Sequence, residues 1–487
     1  MKPQPTTTNE VEQWGIFEWS MQGTMEGNPY TDISLTAHFS KGYRKQDITG
    51  FYDGNGTYKI RFMPDDLGEW TFHTSSNDTA LNGLKGSFTC IPATSGNHGP
   101  VRVSGNYHFV YADGSPYAPF GTTCYGWASS GDELAEQTLK VLSEAPFNKV
   151  RMTVLDQKEG RKQILPFAGS FEEGFDFRTF NPDFFHHFEQ RIVQLGELGI
   201  EADLILFHPY NKKNGLTRLM NANDDDFYLK YVLARFSAFR NVWWSVANEY
   251  DLVLTKDTND WERLINIVSE YDPYRHLCSI HNSQVIFDHR HPGLTHMSIQ
   301  CQSYDKWNRL TESIPDWREQ YRKPVILDEC GYEGHASRFW GSVSPQEFVR
   351  RCWHGIVMGG YVGHGEAHST GKGVWTGNGV NLIGDSPERI AFLRHVIENA
   401  PAQRLEPQTL GRHIPCVGKP KQYYLAYLGI NQPKDLEILL PTNGSYQIEV
   451  IDTWEMTITP IDGTFSGHCR FPLPAKPYMA FQITLVP

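Results

Sequence analysis

The sequence predicts a (β/α)8 barrel flanked by an N-terminal and a C-terminal β-sandwich domain. Three observations support this fold class. The chain has 487 residues, more than one hydrophobic core accommodates, so two or three domains are expected. Short runs with alternating apolar residues occupy both ends of the chain, as in β-sandwiches. Between them, apolar strands alternate with amphipathic helices, which is typical of a parallel sheet built from βα units.

The first predicted domain is an immunoglobulin-like β-sandwich over residues 1–93. Every second residue between 57 and 62 is apolar, and residues 69–72 alternate again after a turn-rich segment. We therefore predict that these two segments pair as a hairpin. Residues 94–116 are predicted to form a linker and a further hairpin, because Gly, Pro, Ser and Asp cluster there.

Residues 117–402 are predicted to form the barrel, which is a usual length for this fold. Helix starts are marked by Asn181-Pro182 and by Ser344 with Glu347 three residues later. The long gap between residues 152 and 199 predicts an inserted segment. Alternating runs return in residues 403–487 and predict the second sandwich. The eight candidate strands of the barrel end at residues 122–124, 150–152, 206–208, 246–248, 279–281, 299–301, 326–328 and 361–363.

Composition excludes several classes of function. The net charge of -12 and the absence of Lys/Arg-rich runs argue against nucleic-acid partners and anionic membrane surfaces. No apolar stretch of signal-peptide or membrane-spanning type is visible, so we predict a cytoplasmic protein. The 8 cysteines form no C-x-x-C pair, and we predict reduced thiols, no metal site and no cofactor. Aromatic residues make up 13% of the chain and are suited to stacking on sugar rings.

Two predicted barrel strands end in acidic residues. Asn248 and Glu249 follow the apolar fourth strand, and Asp328 and Glu329 end the apolar seventh strand. Each glutamate alone would equally fit a helix cap or a solvated strand end. Active sites of (β/α)8 barrels lie at the carboxyl ends of the strands, so we expect both glutamates at one site.

This pattern resembles the clan A glycoside hydrolases, the family-5-like (β/α)8 enzymes. Their acid/base glutamate follows an asparagine on strand four, and their nucleophile ends strand seven; here the matching segments are Asn248-Glu249 and Val-Ile-Leu-Asp-Glu at residues 325–329. The N-terminal motifs Gly-x-Tyr-x-Ile-Arg-Phe-x-Pro at 56–64 and Gly-Glu-Trp at 68–70, with the order sandwich, barrel, sandwich, are similar to bacterial glycosidases whose flanking domains are little characterised.

The resemblance implies a retaining mechanism with Glu249 as acid/base, Glu329 as nucleophile and Asn248 as a partner of the sugar 2-hydroxyl. This chemistry needs one neutral and one ionised carboxyl group. Arg151 and Tyr304, at the ends of strands two and six, are expected to keep Glu329 ionised. Asp328 and Glu333 remain alternative nucleophiles, because a strand end read from sequence can shift by two or more residues.

Further residues at or beyond strand ends are candidates for lining the sugar site, although a structural role is equally compatible with each. His208, His281, Glu366 and His368 belong to this set. Trp127 and Trp375, in the loops after strands one and eight, are candidate stacking platforms for the sugar.

Two other functions are left open. A metal-dependent barrel hydrolase is suggested by His364-x-Glu366-x-His368, whose side chains would share one face of a strand. A non-catalytic glycan-binding protein would keep the aromatic platforms but needs no pair of carboxylates. A cytoplasmic glycosidase meets only imported sugars, so we expect exo-action on short oligosaccharides or glycosides. The sequence does not decide whether the sandwiches wall the pocket or mediate a homo-oligomer.

Overall fold

The structure is a computed structural model that describes residues 10–155, 164–210, 215–300, 309–369, 371, 373–411 and 414–486. Eight strands in the central part of the chain lie parallel and in sequence order. Single bridges close the ring between the fifth and sixth strands and between the eighth and first. The strands are Gly121–Thr123, Lys149–Thr153, Glu201–Phe207, Val242–Ala247, Cys278–Ser279, Met297–Gln300, Val325–Glu329 and Tyr361–Val362.

The predicted (β/α)8 barrel is therefore confirmed, with one departure from the regular alternation. Between the fifth and sixth strands, residues 280–296 form no helix and instead bury Phe287 and Leu294 in the barrel core. The major helices around the other strands are Asp132–Glu144, Pro182–Glu197, Ala222–Phe236, Thr258–Tyr271, Ile314–Tyr321, Pro345–Val357 and Ser386–Glu398.

The predicted helix starts are found where proline and a capping side chain coincide. Asn181 accepts a hydrogen bond from the backbone of Asp183, and Pro182 begins the second of these helices. Ser344 accepts from the backbone of Glu347 in front of Pro345. These side chains satisfy amide groups that have no partner within the helix, and proline already has the backbone angle that a first helical turn needs. Short helical turns occur at Pro29–Asp32, Leu216–Leu219, Tyr250–Leu252, Leu310–Ser313, Phe339–Gly341 and Trp375–Asn378.

The N-terminal region folds into two facing sheets, as predicted. One contains, in spatial order, Glu10–Glu12, Lys85–Ile91, Gly68–Ser76, Leu35–Lys41 and Arg44–Thr49. The other contains Phe17–Gln22, Thr57–Phe62 and Phe51–Tyr52. Their inner side chains form a core of their own.

The hairpin predicted between residues 57–62 and 69–72 is wrong, because the two strands belong to opposite sheets. Their alternating apolar residues face each other across the sandwich instead of lying side by side. Phe62 and Trp70 show this, since both are fully buried with ring centroids 4.9 Å apart. The connecting segment crosses between the sheets, where Pro64 accepts a backbone hydrogen bond of 2.7 Å from Trp14.

A small antiparallel sheet closes the amino-terminal end of the barrel. It consists of Val101–Ser104, His108–Tyr111 and Pro116–Tyr117. Phe109 contacts Trp243 and Tyr361, near the amino-terminal ends of the fourth and eighth barrel strands, at ring distances of 5.4 and 5.6 Å. The opposite, carboxyl end of the barrel carries the candidate site.

The insertion predicted after the second strand contains a hairpin, Phe167–Ser170 with Gly174–Phe180. Tyr30 of the N-terminal region donates a hydrogen bond of 3.0 Å to the carbonyl of Phe180, so this hairpin is fastened to the sandwich. Two-residue strands at Glu333–Gly334 and Glu366–Ala367 pair beyond the seventh and eighth barrel strands.

The C-terminal region also forms two sheets over a separate core. The larger one contains, in spatial order, Glu406–Leu410, Ile414–Lys419, Tyr423–Tyr427, Met479–Leu485, Tyr446–Asp452 and Thr457–Pro460. The smaller one pairs Asp435–Leu439 with His468–Pro472. Tyr427 stacks on Trp353 of a barrel helix at 5.9 Å, which joins this sandwich to the barrel. None of the helices in the described part of the chain has the length and apolar character needed to cross a membrane.

Candidate active site

Glu249 follows the fourth barrel strand in a left-handed backbone conformation, with φ 46° and ψ 50°. Residues other than glycine seldom adopt this conformation, and the surrounding structure must hold it in place. Tyr250 does so from one side, because its amide donates a 3.0 Å hydrogen bond to the carbonyl of His281 on the neighbouring strand end. The Glu249 carboxyl group accepts a 2.8 Å hydrogen bond from Nε2 of Gln300.

Glu329 ends the seventh strand, and one of its oxygens is firmly held. Oε1 accepts hydrogen bonds from the Tyr125 hydroxyl and from Nη1 of Arg151, the latter at 3.0 Å. Nε2 of His281 lies 3.5 Å from the same oxygen. All three of these contacts are made to Oε1.

Arg151 joins the two strand ends that carry the glutamates. Its Nη1 binds Glu329, while its Nη2 donates to Oδ1 of Asn248 at 2.6 Å. Asn248 in turn donates from Nδ2 to the hydroxyl of Tyr210 at 2.5 Å. The buried guanidinium of Arg151 therefore positions both the side chain of Asn248, next to Glu249, and the carboxylate of Glu329.

The two glutamates have opposite electrostatic surroundings. Burial, together with the negative charge of Glu329, raises the pKa of Glu249 to about 7. Burial would also raise the pKa of Glu329, but the contacts with His281, Arg151 and Tyr125 outweigh it and hold this pKa well below its usual range. Near neutral pH the site therefore contains one carboxyl group that readily keeps a proton and one that is ionised.

A second layer of charges lies deeper in the barrel. Lys149 donates to Asp203 and Asp328 at 2.7 and 2.8 Å, and Ser298 donates to Asp328 at 2.5 Å. Asp328 and Glu329 both point inward although neighbouring residues of a strand normally alternate. A register shift between Ser298 and Gln300 on the adjacent strand accompanies this arrangement.

The alternative nucleophiles are engaged elsewhere. Asp328 is paired with Lys149 at 2.8 Å. Glu333 accepts the backbone amides of Asp385 and Ser386 at 2.8 and 3.0 Å, so it holds a loop. These contacts favour Glu329 over both.

Two of the other predicted site residues, His281 and His208, contact residues of the site. His281 contacts Glu329, and its Nδ1 lies 2.8 Å from the Ser298 hydroxyl. His208 is buried, lies 3.2 Å from the Leu155 carbonyl and stacks on Tyr210 at 5.0 Å, so it supports a site residue from behind. Tyr304 lies outside the described residues.

Three predicted residues lie in structural surroundings. Glu366 accepts the backbone amides of Ile383 and Gly384 at 2.9 and 3.0 Å and thereby fastens the loop after the eighth strand. Trp127 and Trp375 are both 0% exposed and pack in the barrel core. Neither indole ring presents a face to solvent, so neither is available to stack on a sugar ring.

The side chains of the proposed metal motif do not converge. His364 is buried between Phe147 and Phe348 and binds the Thr122 hydroxyl at 2.9 Å. Glu366 is occupied by backbone amides. His368 points toward Glu333 at 3.8 Å. In the part of the chain that the structure describes, no group of three His, Cys, Asp or Glu side chains is arranged to hold a metal ion.

Sequence reasoning missed Tyr125, Tyr210 and Gln300. Each lies within a few residues of a barrel strand end: Tyr125 follows the first strand, Tyr210 follows the third, and Gln300 ends the sixth. Their position was the available signal. They were missed because uncharged side chains at strand ends are too common to single out without a partner.

Three family models match the chain. The one described as Apiosidase-like, catalytic domain, matches residues 104–369, more than half of the chain. Two domains of unknown function flank it, DUF5060 over residues 10–77 and DUF5605 over residues 413–484.

Solved structures resemble the chain over most of its length. A protein from Bacteroides vulgatus ATCC 8482, provisionally assigned as a glycoside hydrolase, is 40% identical with a TM-score of 0.91, and the match covers 98% of this chain and 100% of that one. A family 5 glycoside hydrolase from the same organism is 15% identical with a TM-score of 0.63, covering 80% and 93% of the two chains, and shares the fold. A comparison with curated proteins gives no match.

Proposed function

The chain belongs to the Apiosidase-like catalytic domain family and is a glycoside hydrolase, and we propose that it cleaves its substrate with retention of configuration, using Glu249 as acid/base and Glu329 as nucleophile. The observation that carries this proposal is the opposite shift of two glutamate pKa values in one buried network. A glycosidase needs this asymmetry, since one carboxyl group must give a proton while the other attacks as an anion.

In the first proposed step, Oε2 of Glu329 attacks the anomeric carbon while Glu249 donates its proton to the departing oxygen. A covalent glycosyl-enzyme forms, and the bond to the leaving group breaks. Tyr125 and Arg151 hold Oε1, so the attacking carboxylate cannot rotate freely. Their hydrogen bonds also stabilise Glu329 when it departs as a carboxylate in the second step.

In the second step, Glu249, now ionised, takes a proton from water. The water oxygen attacks the anomeric carbon as this proton leaves, and the bond to Glu329 breaks. Asn248 is placed beside Glu249 by Arg151 and Tyr210, and we propose that it binds the sugar hydroxyl next to the anomeric carbon. His281, fully buried and within 3.5 Å of Glu329, would help to orient this carboxylate.

We further propose exo-action on short glycosides. The side chain of Glu329 is 10% exposed, and Glu249 as a residue is 7% exposed. Carboxyl groups this deeply enclosed suit a pocket that accepts the end of a chain better than an open cleft.

The proposal is tested with a panel of aryl glycosides on the wild type, Glu249→Ala and Glu329→Ala. The panel includes an aryl apioside because the matched family is Apiosidase-like. With the best substrate, Glu249→Ala should lose about 100- to 10,000-fold in activity, and Glu329→Ala about 1,000-fold or more. Azide should restore turnover in both variants, giving a glycosyl azide of retained configuration with Glu249→Ala and of inverted configuration with Glu329→Ala. An unchanged rate in either variant overturns the assignment.

A further inference from the structure

The sixth barrel strand brings one side chain directly to Glu249. Gln300 is the last residue of Met297–Gln300 and is 3% exposed. Its Nε2 donates the 2.8 Å hydrogen bond to Oε1 of Glu249. Gln300 lies on a different strand from Glu249 and takes no direct part in the two steps above.

Gln300 is itself held in place by the preceding strand end. Nδ2 of Asn282 donates to the Gln300 carbonyl at 2.9 Å, and the Gln300 amide lies 3.4 Å from Oδ1 of Asn282. Asn282 is also buried. Asn282 therefore holds both the backbone carbonyl and the backbone amide of Gln300. Because this backbone is fixed, the side chain of Gln300 approaches Glu249 from a defined direction.

The direction of this bond influences which oxygen carries the proton. In a neutral carboxyl group the carbonyl oxygen is the better acceptor, and the hydroxyl oxygen carries the hydrogen. A donor that approaches Oε1 favours the form of the neutral acid in which Oε1 is the carbonyl oxygen and Oε2 carries the proton.

The same bond also counters the groups that favour the neutral form of Glu249. Charged and titratable groups face Glu249 from several elements: Glu329 from the seventh strand, Asp251 from its own loop, Tyr210 from the third strand and Tyr125 from the first. Burial, Glu329 and Asp251 raise the pKa of Glu249, whereas the hydrogen bonds from Gln300 and Tyr210 lower it. Of these two opposing contacts, Gln300 contributes the larger effect.

Building on the proposed role of Glu249, we propose that Gln300 is a positioning residue that favours Oε2 as the site of the transferable proton of Glu249 and keeps that proton mobile in both steps. Without the Gln300 donor, this preference for Oε2 is lost. The neutral acid also becomes more stable relative to its conjugate base and donates less readily to a leaving oxygen.

The test compares leaving groups in Gln300→Met, which keeps the length of the side chain but removes the donor. A dinitrophenyl glycoside departs without a proton, so its kcat/KM for the first step should stay within about threefold of the wild type. An alkyl glycoside of the same sugar needs the proton and should lose about 10- to 100-fold. The alkaline limb of the kcat/KM profile should move upward by about one pH unit, because the ionised form of Glu249 has lost a hydrogen bond.

Gln482→Met is the matched control. Gln482 donates a comparable 2.7 Å hydrogen bond to Glu449 in the C-terminal sheet, so this variant loses the same kind of bond away from the barrel. It should change neither the leaving-group dependence nor the pH profile. Gln300→Leu, which also lacks a donor and adds no charge beside Glu249, serves as a second variant if Gln300→Met is poorly folded, and it should show the same leaving-group pattern.

Equal losses with both substrates and an unmoved alkaline limb would overturn the role of Gln300. The outcome is separable from failure of the proposed function. If Glu249→Ala still hydrolyses the alkyl glycoside at the wild-type rate, the acid/base assignment itself has failed. If Glu249→Ala loses this activity while both Gln300 variants behave as wild type, only the role of Gln300 is lost.

Discussion

Nη1 of Arg151 donates a 3.0 Å hydrogen bond to Oε1 of Glu329, while the second terminal nitrogen of the same guanidinium binds Asn248 at 2.6 Å. A planar group with two parallel donors fixes distances that a single ammonium cannot. The spacing between the fourth and seventh strand ends is therefore set by a residue of the second strand.

Replacing Arg151 with lysine should keep the charge but lose this double contact. We expect kcat/KM to fall about 100-fold, because an error of about 1 Å between reacting groups has an effect of that size. The measurement is steady-state kinetics on the best substrate of the panel. Arg44→Lys, on the exposed surface of the N-terminal sandwich, is the control. A loss of less than about twofold in Arg151→Lys would contradict the positioning role.

The activity of the wild type should decrease above neutral pH. Glu249 must be protonated for the first step, and its pKa is raised to about 7 by burial and by the charge of Glu329. As the pH rises through this value, the acid form is lost, and kcat/KM declines with it. The acidic limb belongs to Glu329, whose pKa is held low, so it lies below about pH 4. A profile that stays flat between about pH 6 and pH 9 would be incompatible with Glu249 as the acid.

Glu249 should also lower the stability of the fold at neutral pH and above. Its pKa is about 7 in the folded protein and has a reference value of 4.5, so the folded state binds the proton more tightly than the unfolded chain does. The free energy of unfolding therefore decreases as the pH rises between these two values. Glu249→Gln removes this dependence and should raise Tm by about 1–3 °C at pH 8, with a smaller change at pH 5.

Thermal melts at the two pH values measure this effect. Glu455→Gln, at an exposed position of the C-terminal region, is the control and should show no such pH dependence. A Tm difference between Glu249→Gln and the wild type that is the same at both pH values would show that burial of the charge is not its cause.

The site residues that could be predicted from the sequence are the charged residues near the ends of barrel strands. Glu249, Glu329 and Arg151 could be placed because active sites of (β/α)8 barrels lie at the carboxyl ends of the strands, where these charged residues were found. The structure brings all three into one network. Their catalytic roles, exo-action and the cytoplasmic location remain predictions.

Residues that depend on partners from distant segments could not be predicted. Gln300 matters only because the sixth strand lies opposite the loop of Glu249, and the hydrogen bond between them spans 51 positions of the chain. Trp127 and Trp375 illustrate the opposite error. An indole ring can either stack on a sugar or pack in a hydrophobic core, and only its surroundings distinguish the two. Here the surrounding side chains enclose both rings completely.

The fold shows the same limit. The alternation of apolar residues identified the strand at residues 57–62 but not the strands that pair with it. Alternation has a period of two residues in every strand, so it does not distinguish a neighbour in the same sheet from a strand in the facing sheet. The absence of a helix between the fifth and sixth barrel strands was also not predicted. The strands and helices before and after this segment alternate regularly, which suggested a complete βα unit here as well.

Arg61 should be important for the stability of the joined domains. It lies on the strand Thr57–Phe62 and donates to Glu189 of a barrel helix at 2.7 and 2.6 Å, and to the backbone carbonyl of Arg235 at 2.9 Å. Its side chain is 2% exposed. Arg61→Met leaves the half-buried carboxylate of Glu189 with Arg235 as a remaining partner and should reduce the free energy of unfolding by about 2–3 kcal/mol.

Denaturant unfolding of Arg61→Met and Arg44→Met provides the comparison. Arg44 pairs with Asp65 at 2.9 Å but is 47% exposed, so its loss should reduce the free energy of unfolding by no more than about 1 kcal/mol. Equal effects of the two substitutions would contradict a stabilising role of the buried contacts between the sandwich and the barrel.

Covalent capture of the sugar tests the central claim most directly. Glu249→Ala is incubated with a dinitrophenyl glycoside of the preferred sugar, which departs without acid but leaves a glycosyl-enzyme that no base can rapidly hydrolyse. Digestion and mass spectrometry then locate the label. We predict one glycosyl group, attached to the carboxylate of Glu329 and released by azide. A label on Asp328, Glu333 or any other residue, or a burst of dinitrophenol with no labelled protein, would contradict the account.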